Sequence, residues 1–252
     1  MSGHSKWSSI KHQKGVTDAR RGQLFSKLTR EIIIAVRQGG SSPEANFRLR
    51  LAIQRARDNS MPLDNIERAI KRSSGETEGA SLVEMVLEGY GPSGTAILVQ
   101  ALSDNRNRTL QDIRNIFSRG GGSLGESGCV AWNFDSKGLI TVETNNLDAE
   151  DLALQAIDAG AEDVKVENAC VEIYTKPGEL EMVRAALEQK GLAIASAELA
   201  MVPKTTVELD EKAALQTLKL LDKLEELDEV QHVSSNADFS DSVLEKYQSQ
   251  VQ

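Results

Sequence analysis

The chain reads as an α+β protein: an N-terminal three-helix domain followed by two α/β-sandwich domains, the last ferredoxin-like and inserted in the middle one. Three observations predict this. The first 75 of the 252 residues hold amphipathic helical patterns and a basic excess, 15 Lys+Arg against 6 Asp+Glu. The remaining residues hold 14 against 32 and change to short strand-like runs alternating with helices. Between residues 138 and 202 those runs fall in the order βαββαβ, that of a split βαβ unit, and the pieces after Pro203 complete the unit begun at residue 82.

Residues 1–17 are polar and basic with few periodic apolar positions, which reads as an arm that orders on binding or a loosely packed lead-in. Asp18 suits a helix cap, and Gly39-Gly40 suits a stop, so a helix is expected to about Gln38. Leu24, Leu28, Ile32 and Val36 recur every four residues as one apolar stripe, with Phe25 beside them. Ser42-Pro43 is expected to open a second helix, with proline at its first position. Its apolar residues are Leu49, Ala52, Ile53 and Ala56. Met61-Pro62 opens a third, short helix carrying Leu63, Ile66 and Ile70.

Ser73 to Gly79 is rich in turn residues and reads as a linker. Leu82–Leu87 and Ala96–Leu102 read as strands joined by a Gly/Pro turn, and Thr109–Ser118 as a helix with Ile113, Ile116 and Phe117 inward. A Gly-rich loop follows, then a strand over Val130–Phe134. In the inserted unit, Leu139–Val142 is a strand, Asp148–Ala159 a helix, Val164–Val166 and Cys170–Thr175 strands, Glu179–Lys190 a helix and Ala195–Val202 a strand. Thr206–Leu209, a helix from Glu211 to about Leu227, and Val230–Val233 close the middle domain. The expected division is 1–78 for the basic helical domain, 79–136 plus 204–240 for the middle domain, 137–203 for the insert, and 241–252 for a C-terminal tail.

Apolar content of 40% and charged content of 27% are ordinary for a globular chain. No apolar run approaches the ~20 residues needed to span a bilayer, and the N-terminus lacks the apolar segment of a signal peptide. Cytoplasmic location, with no membrane partner, is the expectation. Cys129 and Cys170 stand alone in strand-like stretches, outside any C-x-x-C pair, and read as two buried free thiols rather than zinc ligands.

The motifs that suggest chemistry weaken on inspection. Gly89-Tyr-Gly-Pro-Ser-Gly94 matches G-x-G-x-x-G, but a strand follows it where a dinucleotide site needs a helix, so a hairpin loop is expected. Gly120-Gly-Gly-Ser-Leu-Gly-Glu-Ser-Gly128 lacks the Lys-Ser/Thr ending of a P-loop, although its backbone N–H groups could still meet an anion. Ser103-Asp-Asn-Arg-Asn-Arg-Thr109 reads equally as a capping loop or as a phosphate-binding loop using Arg106 and Arg108. His4, His12 and His232 are the only histidines, and none has a helical i, i+4 His partner. No catalytic constellation, metal site or cofactor motif is legible, so no enzyme, small-molecule substrate, metal or cofactor is expected.

The basic residues carry the sharper reading. Lys6, Lys11, Lys14, Arg20, Arg21, Lys27 and Arg30 fall within 25 residues, interleaved with Trp7 and Phe25. Arg48 and Arg55 share a helix face, as do Arg50 and Arg57. Cations gathered on one surface gain affinity by releasing phosphate counterions, and Trp7 could stack on a base. The plain alternative is a solvated helical surface.

Gly3-His-Ser-Lys-Trp7, Ile10-Lys-His12, Lys14, Asp18, Arg21-Gly22 and Phe25-Ser-Lys27 resemble the opening of the YebC/PmpR family. The resemblance continues through Glu88-Gly-Tyr-Gly-Pro92, Asp104-Asn-Arg-Asn-Arg-Thr109, Gly121-Gly122, Leu124-Gly125, Trp132, Phe134, Leu227-Asp228, Val230-Gln231 and Ser235-Asn236. Ser103 stands where Thr is usual, and Cys129 where Ser is usual. The resemblance implies three domains, the second interrupted by the third, and a non-enzymatic role in gene expression. Members are named DNA-binding transcriptional regulators, while others, mitochondrial relatives included, are regarded as translation factors acting on ribosomes at proline-rich stretches. The nucleic-acid-binding residues expected here are Lys6, Trp7, Lys11, His12, Lys14, Arg20, Arg21, Lys27, Arg30, Arg106 and Arg108. The expected partner is DNA or ribosomal RNA, with the ribosome as a further candidate and the chain itself a monomer.

Overall fold

The computed structural model describes residues 18–74, 82–144, 148–166 and 170–251. The chain divides into two compact units, one of residues 134–204 and the other of the described residues on either side of that stretch.

The larger unit begins with α1 (Asp18–Gly39), α2 (Phe47–Asp58) and α3 (Leu63–Ser74). The stripe expected on α1 is its buried face: Leu28, Ile32, Ala35 and Val36 meet Leu49, Ala52 and Ala56 of α2 and Ile66 and Ala69 of α3. Gly40 ends α1 at φ +85°, a left-handed conformation that an L side chain strains to adopt, while its N–H donates to Val36 O at 2.8 Å. The second helix does not open at Pro43. That proline lies in a turn, and Asn46 caps the helix instead. Its Oδ1 accepts from Leu49 N at 3.0 Å, and its Nδ2 donates to Ala35 O and Gly40 O, both at 2.8 Å. One buried amide therefore starts α2 and satisfies carbonyls at the end of α1.

A four-stranded antiparallel sheet follows, from β1 (Val83–Tyr90), β2 (Ala96–Ser103), β3 (Ser123–Leu124) and β9 (Val230–Ser235), in the order β3-β1-β2-β9. The Gly89–Gly94 motif forms the expected hairpin: Gly89 and Tyr90 end β1, and the connection from Gly91 carries a short 3-10 turn at Pro92–Gly94. One sheet face packs on α4 (Arg106–Arg119), α7 (Glu211–Glu225) and α8 (Asp241–Val251). Ile97, Val99, Ile113, Phe117, Leu218, Leu221, Val230 and Phe239 fill that core. The stretch read from the sequence as a tail, 241–252, instead holds α8 over its described residues 241–251, and Val243, Leu244 and Tyr247 are buried in that core. The other face receives the helical bundle: Arg48 pairs with Glu84 on β1, and Arg55 meets His232 on β9. A parallel pair, β8 (Val207–Glu208) with β10 (Ala237–Asp238), lies beside them.

The chain leaves this unit at residue 133 and returns at 205, and the two ends are tied. Asn133 Oδ1 accepts from Thr205 N at 3.1 Å and from its hydroxyl at 2.9 Å. Asn236 Nδ2 donates to Thr205 O at 3.3 Å, and its Oδ1 accepts from Ala96 N at 2.7 Å.

The unit of residues 134–204 runs β4 (Phe134–Glu143), α5 (Ala149–Asp158), β5 (Asp163–Val166), β6 (Cys170–Thr175), α6 (Leu180–Gln189) and β7 (Ile194–Pro203). The sheet order β5-β6-β4-β7, antiparallel throughout, is the ferredoxin-like arrangement. The sequence suggested a strand over Val130–Phe134 and a second from Leu139. Instead residues 131–133 form a 3-10 turn, and one strand starts at Phe134 and pairs with β7 from Phe134↔Pro203 onward. Gly138 lies mid-strand, where a Cβ would approach Thr175 Oγ1 to 2.3 Å.

Candidate nucleic-acid interface

The cations of the helical bundle divide by what they touch. Along α1, Gln23, Lys27 and Arg30 share a face and reach the C-terminal end of α7. Gln23 donates to Glu226 O, Lys27 to Glu225 O at 2.6 Å, and Arg30 to Asp228 O. Those carbonyls lie at the negative end of the helix dipole, where cations are favoured. Arg55 donates to Glu31 Oε2 at 3.2 Å and lies 2.9 Å from His232 Nε2. Arg48 bridges Gln38 and Glu84, and its guanidinium holds the Glu84 carboxyl below the usual range. Arg50 donates to Pro43 O and Glu44 O and lies over the Phe47 ring. All of these positive groups meet the chain's own acceptors.

Arg68 and Arg72 differ. They lie one turn apart on α3, both exposed, and among the described residues neither has a hydrogen-bond or ion-pair partner. With Arg30 across from them they flank a groove of about 390 Å³ between α1 and α3, which Phe25, Ile33 and Met61 also line. No carboxylate lines it. The sequence reading missed Arg68 and Arg72 because they lie outside the N-terminal run of basic residues. Their i, i+4 spacing on an amphipathic helix was the available signal.

The residues expected to bind nucleic acid are placed as follows. Lys6, Trp7, Lys11, His12 and Lys14 lie outside the described residues. Arg20 is in the first turn of α1, and only its backbone is described. Arg21 follows it, exposed. Lys27 and Arg30 face the α7 carbonyls, as above. Arg106 and Arg108 belong to the first turn of α4 rather than to a loop. Asn105 caps that helix by accepting from Arg108 N, and Ser103 and Thr109 share a buried hydroxyl contact of 2.8 Å. The Arg108 guanidinium lies between Glu229 and Asp104, at 3.0 and 2.9 Å, and both raise its pKa. Arg106 is exposed, without a side-chain partner among the described residues.

The Gly-rich loop does meet an anion, and that anion is internal. Glu88 is buried, 5% exposed, and accepts from Gly128 N at 2.6 Å, Val130 N at 2.8 Å and Ala131 N at 2.7 Å. Burial disfavours its charge, yet the three N–H groups leave its pKa below the ordinary glutamate value. Cys129, in the turn held this way, is half-buried and not on a strand as the sequence suggested. Burial first, and then the Glu88 charge, push its thiol pKa up. Cys170 is on β6, also half-buried rather than fully buried. Among the described residues no three of His, Cys, Asp and Glu gather as a metal site, and no helix is long and apolar enough to cross a membrane.

A helical module with outward arginines, joined to an acidic α+β body whose middle part is interrupted by a ferredoxin-like insert, defines the class. Residues 5–76 match the N-terminal domain of the TACO1/YebC protein, and residues 82–237 match the TACO1/YebC second and third domain. A probable transcriptional regulatory protein of Dehalococcoides mccartyi is 64% identical over 251 residues, covering 100% of both chains. Another, from Pelotomaculum thermopropionicum, is 53% identical over 243 residues, 96% of this chain and 100% of its own. The crystal structure of a conserved hypothetical protein from Aquifex aeolicus aligns with a TM-score of 0.82 at 48% identity, covering 89% of this chain and 93% of that one. The chain belongs to the TACO1/YebC family, whose relatives carry the name of transcriptional regulators.

Proposed function

We propose that this protein is a non-enzymatic regulator of gene expression that grips nucleic acid through its basic helical domain. The observation that carries the reading is the pair Arg68 and Arg72, exposed and without an acceptor among the described residues, in a module with 15 Lys+Arg against 6 Asp+Glu. Lys6, Lys11, Lys14, Arg20 and Arg21 are assigned as further phosphate contacts, with Trp7 and His12 as further nucleic-acid contacts. Lys27, Arg30 and Arg108 would have to exchange internal acceptors for phosphate, so they contribute less. DNA is the ligand of a transcriptional role, the role for which the relatives are named, and ribosomal RNA is the competing ligand. The acidic domains serve as a platform for a protein or ribosomal partner.

The test is the salt dependence of binding. Each phosphate contact removed lowers the slope of log affinity against log salt by about 0.7–0.9. Arg68→Glu with Arg72→Glu, and separately Lys11→Glu, Lys14→Glu and Arg21→Glu, are measured on duplex DNA and on a structured ribosomal RNA fragment. Both variants should lose slope on the physiological ligand without base preference, since phosphate contacts carry no sequence information. Unchanged slopes on both ligands would sink the reading.

A further inference from the structure

The groove between α1 and α3 is not shaped for a duplex backbone alone. A surface that only tracks phosphates needs cations and no floor. Here the floor is apolar: Phe25 and Ile33 are half-buried and Met61 is buried, and all three line the same cleft as Arg30, Arg68 and Arg72. Its volume of about 390 Å³ falls within the ~300–1,000 Å³ of small-ligand sites. An apolar floor with an aromatic ring suits the flat face of a base, and flanking guanidiniums suit its phosphate.

The polar rim adds a preference. The Ser26 hydroxyl donates to Gly22 O at 3.1 Å, and the Thr29 hydroxyl donates to Phe25 O at 2.7 Å. With their protons committed to backbone carbonyls, both oxygens are left as acceptors at the groove. They match a ligand that donates. A ribose 2′-hydroxyl is such a donor, and deoxyribose has none. Asn65, on α3 and also lining the cleft, can both donate and accept.

We infer that this groove holds one unpaired ribonucleotide of an RNA strand, its base on Phe25, Ile33 and Met61 and its phosphate between Arg68 and Arg72. The inference rests on the nucleic-acid reading above and adds the strandedness, the sugar and the pocket. In duplex nucleic acid the base face is stacked and unavailable, so such a site selects single strands, loops and bulges.

The test uses the full chain with short labelled oligonucleotides: a single-stranded RNA, the same strand with one abasic position, the DNA strand of the same sequence, and the RNA duplex. Ser26→Trp fills the groove from its rim without removing a cation, and Arg68→Gln with Arg72→Gln removes the phosphate partners. Circular dichroism and thermal melting confirm that each variant folds. The intact single-stranded RNA should bind at least about tenfold tighter than its duplex, its abasic form and its DNA counterpart. Ser26→Trp should erase those preferences. A 4-thiouridine RNA should crosslink to Phe25, Ile33 or Met61. If Ser26→Trp leaves single-strand affinity unchanged while the arginine variant weakens single strand and duplex equally, the groove is empty and only phosphate grip survives. Equal binding of RNA and DNA strands would remove the ribose assignment. If neither variant alters any affinity, the groove holds no nucleotide; the nucleic-acid reading falls with it only if the Lys11, Lys14 and Arg21 variants also leave binding unchanged.

Discussion

Replacing Glu88 by glutamine keeps its size and removes its charge. The carboxylate is 5% exposed and accepts three backbone N–H groups from residues 128, 130 and 131. Glutamine can keep its amide oxygen toward Val130 and Ala131, but its NH₂ group then faces the Gly128 N–H, donor against donor. A hydrogen bond to a charged group contributes about 1.5–3 kcal/mol, a neutral one about 0.5–1.5, and an unsatisfied buried donor costs about 1–3. Because burial of the charge offsets part of what its bonds contribute, the low end of these ranges applies, a loss of about 3 kcal/mol. At about 2–4 °C per kcal/mol for a unit of this size, the melting temperature should fall by roughly 6–12 °C. Trp132 donates to Cys129 O at 3.0 Å inside the same loop, so its fluorescence in a Trp7→Phe background reports the transition. The pH dependence has a definite sign. Glu88 has a lowered pKa in the fold, so its stabilisation is present above the unfolded value of about 4.3 and is lost as pH falls through the folded value. Wild type should therefore lose its advantage over Glu88→Gln as the pH drops from 5 toward the acid limit. A Glu88→Gln protein melting within a degree of wild type at pH 7, or a gap that does not close in acid, would refute the account.

Two further outcomes follow from the packing. Asn236→Ala leaves the buried Ala96 N–H without its 2.7 Å acceptor and should cost about 2 kcal/mol by urea titration; Asn236→Asp keeps that acceptor but sets a carboxylate oxygen against Thr205 O, and should not recover the loss at pH 7. Leu244→Ala opens a cavity beneath α8 and should cost about 2–5 kcal/mol, whereas a loss below about 0.5 kcal/mol would make residues 241–251 a dispensable tail after all.

The parts of the fold legible in the sequence were those with an uninterrupted period. The Leu28–Ile32–Val36 stripe and the Ile113–Phe117 pair lie inward as their spacing implies. The failures were local. Proline at position 43 is as common in a turn as at a helix start, and what fixes the start of α2 is Asn46 reaching back to Ala35 O and Gly40 O, a contact that requires α1 to be in place. The join of residues 134–143 into one strand was not legible either: position 138 needs a residue without Cβ because Thr175 and Leu180 press on it from elsewhere in the unit. The Gly-rich loop reads as a connecting loop that could meet an anion, and the anion it does meet, Glu88, is 40 residues away along the chain and gives no local signal. The candidate groove was least legible. It takes Phe25 and Ile33 from one helix and Arg68 and Arg72 from another, and only their packing brings the two sets together.

Counting charges along the sequence treats every lysine and arginine of the helical domain as available to a polyanion. The contacts divide them. Lys27 and Arg30 neutralise carbonyls at the end of α7, Arg48 is paired with Glu84, and Arg55 is placed between Glu31 and His232. These residues attach the helices to the end of α7 and to the sheet, so removing them would loosen that attachment as well as change the charge. A phosphate competing for them must first displace a partner already fixed at hydrogen-bond distance, and that displacement offsets part of the counterion gain. Arg68 and Arg72 have no such partner among the described residues, so an incoming phosphate meets them without breaking a contact. The basic excess therefore serves two purposes, attachment of the bundle through one helical face and reception of a ligand through another. The second face is the one on which substitutions should change binding and leave the fold intact.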